Sequence, residues 1–108
     1  MEIFYASAYG RSAREVFTAA ERAAAEREIA ADPAAWPVIP KSGGLRKARA
    51  ARGGKGKSGG ARVIYFHVAE DGAVFFLFAY AKNVQEDLRP DQLKRLRDIA
   101  ATLKERGS

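Results

Sequence analysis

Two stretches in the second half of the chain carry apolar residues on both alternating sets of positions. Residues 61–68 read ARVIYFHV and residues 74–80 read VFFLFAY. Successive side chains of a strand point to opposite faces, so each stretch would present hydrophobic groups on both of its faces. These two strands are therefore expected to be covered on both sides. The intervening Glu70-Asp71-Gly72 is typical of a hairpin turn.

Helical patterns lie on either side of these strands along the chain. Residues 3–5 predict a brief strand, and residues 8–17 predict a short helix in which Gly10 is unfavourable. Residues 19–31 predict a second helix, because Thr18 and Glu21 form a capping box and Asp32-Pro33 ends the pattern. A third helix should run from Pro90 to about Arg106. Its apolar stripe comprises Leu93, Leu96, Ile99, Ala100 and Leu103.

The segments between these elements complete the predicted fold. Residues 34–42 form a connector whose apolar residues, Trp36, Val38 and Ile39, are expected to hold it against the core. Residues 45–51 predict a strand with Leu45, Lys47, Arg49 and Ala51 on one face. We expect one α+β domain over residues 1–108, with a mostly antiparallel sheet, two N-terminal helices on one face and a C-terminal helix.

Positive charge is concentrated in the middle of the chain. The protein has 19 Lys and Arg against 13 Asp and Glu, a net charge of +6. Eight of the basic residues and none of the acidic ones lie between positions 41 and 62, so the rest of the chain is slightly acidic. A focused cationic stretch is typical of a surface that binds a polyanion, most often nucleic acid. A solvated basic loop is the alternative.

Several kinds of chemistry do not fit the composition. With no cysteine and one histidine, neither a thiolate nucleophile nor a zinc site is expected. The GKS at 56–58 lacks the glycine that a phosphate-binding loop needs five positions earlier, where Ala51 stands. His67, on a strand buried on both faces, is expected to be structural. No segment has the length of a membrane span or a signal peptide, so we expect a cytoplasmic protein without membrane contact.

The remaining reactive side chains are Lys, Arg and Tyr, and they suit phosphodiester transfer in RNA. Arginine can bind phosphate oxygens with two parallel N–H groups. A lysine crowded by other cations loses its proton more readily and can act as a base. Because RNA supplies the 2′-hydroxyl as nucleophile, cationic side chains alone could promote cleavage. No metal or other cofactor is expected, since no carboxylate cluster is present to bind magnesium.

Four short motifs stand out along the chain: VIP at 38–40, GGLRK at 43–47, GKSGGARVIY at 56–65 and YAKN at 80–83. Together they resemble the RelE/HigB toxins of bacterial toxin–antitoxin systems, with the HigB-like branch the most similar. The resemblance implies a RelE-like fold and a ribosome-dependent mRNA endonuclease. Its implied partners are mRNA in the ribosomal A site, ribosomal RNA and a cognate antitoxin, expected to be a helix-turn-helix DNA-binding protein.

By this resemblance the catalytic residues are Lys47, Arg49, Arg62 and Lys82. We assign Lys47 as the general base, helped by repulsion from Arg46 and Arg49, and Arg62 to the charge that develops on phosphorus. Arg49 and Lys82 would orient the phosphate. The residues expected to bind RNA or ribosomal phosphates without reading sequence are Arg46, Arg52, Lys55 and Lys57.

The chain departs from the RelE pattern at two positions. Asn83 stands where the family has an arginine after the lysine, and Arg89 stands where it has a functional tyrosine. Tyr65 and Tyr80 are candidates for the missing tyrosine, and each could equally be a core residue. Two other functions stay open: a ParE-like toxin that inhibits DNA gyrase without cleaving nucleic acid, and a basic RNA-binding module.

Overall fold

Four strands form one sheet in the order β1-β4-β3-β2, and three helices cover it. The structure is a computed structural model that describes residues 1–54 and 60–106. Its elements are β1 (Ile3–Tyr5), α1 (Ser7–Val16), α2 (Ala19–Ala31), β2 (Leu45–Ala50), β3 (Ala61–His67), β4 (Val74–Ala81) and α3 (Pro90–Arg106). The predicted α+β class and each predicted element are confirmed, with bounds that differ by about one residue.

The sheet is mostly antiparallel, as predicted. β3 pairs antiparallel with both β2 and β4, whereas β1 pairs parallel with β4 at the edge of the sheet. The hairpin between β3 and β4 turns at Gly72, whose φ is 77°, a value that favours glycine. Asp71 supports this turn by accepting a hydrogen bond from the Ala73 amide at 2.9 Å. β3 therefore lies inside the sheet, with a long strand on each side.

Two hydrophobic cores lie on opposite faces of the sheet. On one face α1 and α2 cover Val63 and Tyr65 of β3, with Tyr9 and Ile29 contributed by the helices. On the other face α3 packs Leu96, Ala100 and Leu103 against a set that includes Leu45, Ile64 and Phe66. This two-sided covering explains why β3 and β4 are apolar on both alternating sets of positions. None of the helices in the described ranges has the length and apolarity to cross a membrane.

The capping box predicted at the start of α2 is present. The Thr18 hydroxyl accepts from the Glu21 amide at 3.1 Å, and the Glu21 carboxylate accepts from the Thr18 amide at 2.9 Å. The same carboxylate accepts from the Gly53 amide at 2.6 Å, so it also anchors the chain that leaves β2. These backbone hydrogen bonds lower the pKa of Glu21.

The connector at 34–42 runs along the outer edge of β2. The Ile39 amide donates to the Leu45 carbonyl at 2.7 Å, and the Lys47 amide donates to the Pro37 carbonyl at 3.2 Å. Trp36 and Ile39 pack against the two cores, as predicted. Val38 does not, because it is 46% exposed, and its predicted core contact is wrong. Its backbone pairs with Arg46 at the edge of the sheet, so its side chain lies beside that of Arg46 and not beside a core residue.

Two glycines give opposite expectations for the same substitution. Gly10 lies inside α1, where an added methyl group would meet open space, so Gly10→Ala should raise the free energy of unfolding by about 0.5–1 kcal/mol. A Cβ at Gly60 would lie 2.6 Å from the Ala50 carbonyl oxygen, so Gly60→Ala should destabilise by about 1–3 kcal/mol. Urea denaturation of both variants measures this, and a shift of the same sign in both would contradict these packing environments.

Candidate functional site

A basic cleft lies on the same face of the sheet as α3, at the end of that face that α3 does not cover. We define it by the residues that line it, Trp36, Pro37, Lys47, Arg49 and Arg62, which enclose about 240 Å³. Three of the four residues predicted to be catalytic thus line one cleft. Lys82, the fourth, is not among its lining residues. It follows β4 directly, and its amide donates to the Gly60 carbonyl at 3.1 Å.

Strand register brings the cationic residues together. Arg49 of β2 lies directly opposite Arg62 of β3, and Arg62 lies opposite Tyr80 of β4. Lys47 lies two residues from Arg49, and so it shares the same face. Directly opposed side chains of an antiparallel pair have Cβ atoms about 5 Å apart, and like charges at that distance are unfavourable. The fold therefore holds two arginines close together, and a bound anion would reduce the repulsion between them.

Arg62 is deeply placed for an arginine, with only 7% of its surface exposed. Its Nη1 donates to the Ala61 carbonyl oxygen at 3.0 Å. A guanidinium that is largely removed from water interacts more strongly with an anion than an exposed one does, because the local dielectric is lower. Arg62 is therefore the best-placed side chain of the cleft to stabilise negative charge.

The connector forms one wall of the cleft. The Arg49 guanidinium lies over the Trp36 ring, 5.6 Å from its centroid, which is a cation–π contact. Arg46 holds this wall in place from the other side of β2, since its Nη1 donates to the carbonyls of Trp36 at 2.6 Å and Ala34 at 3.1 Å. Arg46 is thus engaged in fixing the connector, and its predicted contact with RNA phosphates stays a prediction.

Lys47 has an acidic partner that the sequence did not indicate. Its Nζ lies 3.0 Å from Oδ1 of Asp87, a residue 40 positions later in the segment that joins β4 to α3. Arg46, one of the two cations expected to crowd Lys47, faces away from it. The carboxylate of Asp87 therefore marks a position beside Lys47 where an anionic oxygen fits.

Arg52, another predicted phosphate-binding residue, is not among the residues that line the basic cleft. Arg52 donates from Nε to the Val16 carbonyl at 2.7 Å, so it caps the C-terminus of α1. Its predicted contact with RNA phosphates stays a prediction. Lys55 and Lys57 lie outside the described residues. Arg89 occupies the start of α3, where its amide donates to Gln92 Oε1 at 2.9 Å and its side chain lies 3.5 Å from Asp91.

The two candidate tyrosines differ in their hydroxyl groups. Tyr65 donates to the Pro33 carbonyl at 2.6 Å and so fastens the connector to β3. The Tyr80 hydroxyl is buried without a hydrogen-bond partner, the one such side-chain atom in the described part of the chain. The pKa of Tyr80 is raised to about 12, chiefly by burial and also by the Asp87 carboxylate, whereas the Arg62 guanidinium acts in the opposite direction. Residue patterning did not distinguish these two tyrosines, because both sit on strands that are apolar throughout.

No metal site emerges from the side chains whose positions are described. Across residues 1–54 and 60–106, no three His, Cys, Asp or Glu side chains are placed to hold a metal ion together. His67 is half-buried on β3, opposite Val74.

The fold and the cleft define a small α+β domain that gathers lysine and arginine at one end of its sheet. A family model described as the RelE toxin of the RelE/RelB toxin–antitoxin system matches residues 1–107. The chain therefore belongs to the RelE toxin family, and the resemblance seen in its motifs is confirmed. Assignment to the HigB-like branch stays a prediction.

We expect the protein to lose stability in alkali. Tyr65 and Tyr80 have pKa values raised to about 12 from an ordinary value of 10.0, so the unfolded chain gives up these protons at a lower pH than the folded chain. Their contribution is complete below pH 10 and declines as the pH rises towards 12. Denaturant titrations at pH 9, 10 and 11 should show this fall, and Tyr80→Phe should make it shallower. An equal slope in both proteins would contradict the burial of Tyr80.

Proposed function

We propose that this protein is a ribosome-dependent endoribonuclease, the translation-inhibiting toxin of a toxin–antitoxin pair, and that the basic cleft cuts mRNA in the ribosomal A site. The observation that carries the proposal is the convergence of Lys47, Arg49 and Arg62 on one cleft. Family membership supports it, because the RelE family is the toxin component of such a pair. RNA cleavage would use the nucleophile already present in the substrate, the 2′-hydroxyl.

The chemistry that suits this cleft is electrostatic. Attack of the 2′-oxygen on phosphorus gathers negative charge on the phosphate oxygens, and preorganised donors stabilise that charge most when water is excluded. Arg62 is buried and planar and is assigned to this charge, whereas Arg49, held over Trp36, orients the phosphate. Lys82, which directly follows β4, is assigned with Arg49 to orienting the phosphate.

Lys47 is assigned as the base that accepts the proton of the 2′-hydroxyl. It can act in this role only when its ion pair with Asp87 is broken. While Asp87 lies 3.0 Å from its Nζ, the ammonium is engaged. Once RNA displaces the carboxylate, the Lys47 side chain is released from this ion pair and can face the 2′-hydroxyl. Lys47 can then accept the proton of the 2′-hydroxyl. Binding of RNA would thus prepare the base as well as position the phosphate.

The partners follow from the same assignments. The substrate is mRNA, ribosomal RNA supplies the surroundings of the cleft, and an antitoxin neutralises the toxin, as family membership implies. We expect the antitoxin to carry a helix-turn-helix DNA-binding domain. A ParE-like action on gyrase requires no cluster of phosphate-binding residues on the sheet, so the basic cleft favours the nuclease over it and over a plain RNA-binding module.

Arg62 provides the most direct test of the nuclease. Arg62→Ala should lower the rate of mRNA cleavage on programmed ribosomes by about 10²–10³, the usual cost of removing one preorganised donor. Arg62→Lys should restore only part of this rate, because an ammonium cannot reproduce the planar fork. The measurement is single-turnover cleavage of normal mRNA, beside mRNA that carries a 2′-deoxy group at the scissile nucleotide.

The matched control is Arg95→Ala, which removes the same charge from an exposed position on α3. Its rate should equal that of the unmodified protein, and the melting temperatures of all variants show whether each is folded. Cleavage of the deoxy substrate would contradict the 2′-hydroxyl mechanism. An intact, folded protein that cuts neither substrate would favour the gyrase inhibitor or the binding module.

Asp87 should compete with RNA for Lys47. Asp87→Asn should tighten binding to ribosomes that carry uncleavable deoxy mRNA by about two- to fivefold at low salt, in line with the strength of an exposed ion pair. Glu86→Gln is the control, since it removes one negative charge from the adjacent exposed position. The affinity gained by Asp87→Asn should exceed the affinity gained by Glu86→Gln, and this difference should shrink as salt is added. Equal gains in the two variants would show that only net charge matters.

A further inference from the structure

Tyr80 carries a polar atom that the fold itself does not use. The residue is 3% exposed, and its hydroxyl has no hydrogen-bond partner among the described residues. Such a group loses its water on folding and gains nothing in return, which is costly enough that most buried hydroxyls are paired. The other buried tyrosines follow that rule, since Tyr9 donates to Glu26 at 2.7 Å and Tyr65 donates to Pro33 at 2.6 Å. Tyr80 is the exception.

The position of Tyr80 relates it to the basic cleft. It lies directly opposite Arg62 across β3 and β4, on the same face of the sheet as Lys47 and Arg49. The two charged side chains that act on its hydroxyl are Arg62, which lines the cleft, and Asp87, which pairs with Lys47. Tyr80 is thus the cross-strand neighbour of Arg62, and its hydroxyl interacts electrostatically with that cation and with the carboxylate that pairs with Lys47.

We propose that the Tyr80 hydroxyl is a further catalytic group of the cleft, donating a hydrogen bond to an oxygen of the scissile phosphate. The inference rests on the proposed nuclease function. Asp87 shows where an anionic oxygen sits beside Lys47, and Tyr80 lies opposite Arg62, so a phosphate bound between Lys47 and Arg62 would bring an acceptor to the side of the unpaired hydroxyl. The O–H acts as a donor and not as a base, because burial and the Asp87 carboxylate keep it protonated at neutral pH.

A neutral hydrogen-bond donor adds a short-range interaction that the cations of the cleft do not provide. Lysine and arginine attract any phosphate of the RNA backbone over a distance, whereas a hydroxyl on a rigid ring acts only at hydrogen-bond range. Because the ring of Tyr80 packs in the second core, beside Phe78, its donor is held at a fixed point. It therefore contributes to the placing of one particular phosphate.

The test compares two variants that each remove a single hydroxyl, Tyr80→Phe and Tyr65→Phe. Tyr80→Phe should cleave mRNA on programmed ribosomes about 10- to 100-fold more slowly, the effect of one lost hydrogen bond to a charged group. Its melting temperature should equal or exceed that of the unmodified protein, because no internal bond is lost. Tyr65→Phe should melt at a lower temperature, and it should cleave normally where it is folded.

Affinity for ribosomes that carry uncleavable deoxy mRNA gives a second readout that needs no cleavage. Tyr80→Phe should bind several-fold more weakly, with the same dependence of log affinity on log salt, because a neutral group releases no counterions. Tyr65→Phe should bind normally. The two proposals can thus fail separately, since binding is measured whether or not the RNA is cut.

Four outcomes decide the matter. Cleavage and affinity unchanged in Tyr80→Phe would overturn the role of Tyr80 and leave the nuclease intact. A melting temperature lowered as far as in Tyr65→Phe would also overturn it, because the hydroxyl would then have an internal partner. A protein that binds RNA without cutting it, with affinity weakened by Tyr80→Phe, would overturn the nuclease and support the phosphate contact. An unmodified protein that binds no programmed ribosome would overturn both proposals.

Discussion

Burial of β3 on both of its faces is the constraint on which the rest of this structure depends. The strand lies between β2 and β4, and its side chains alternate between the core under α1 and α2 and the core under α3. A slip of one residue would exchange the two faces completely, so the register is strongly fixed. Arg62 is the one charged residue of β3. Fixed register therefore places it opposite Arg49 and Tyr80, and the cleft follows from the packing of the sheet.

The cleft works against the stability of the domain that builds it. Cations that face each other on neighbouring strands repel, and a buried guanidinium has lost much of its water. The fold offsets this locally through the Trp36 ring beneath Arg49, the Ala61 carbonyl beside Arg62 and the Asp87 carboxylate beside Lys47. Departures from good packing that are compensated in this way concentrate where proteins bind or react.

The periodicity of the sequence predicted the elements, the order of helices and strands and the shared face of Lys47 and Arg49. It succeeded because each of these depends on residues that are close in sequence. Contacts between distant segments were not predictable in this way. Asp87 reaches Lys47 from 40 residues away, and Arg46 and Arg52 donate to carbonyls of the connector and of α1. Charge density alone marked these arginines as RNA ligands, although in the structure both hold segments of the fold together.

The Lys47–Asp87 pair bears on how a basic protein can select one polyanion among many. An acidic side chain on the same chain competes with external phosphate at a high effective concentration, because it never diffuses away. A single free phosphate ion gains too little to displace it, whereas a polyanion could engage several cations of the cleft at once. An internal carboxylate in the cleft thus lowers affinity for isolated anions more than affinity for a polyanion held in place. If the proposed function is correct, this difference favours mRNA that the ribosome has already positioned.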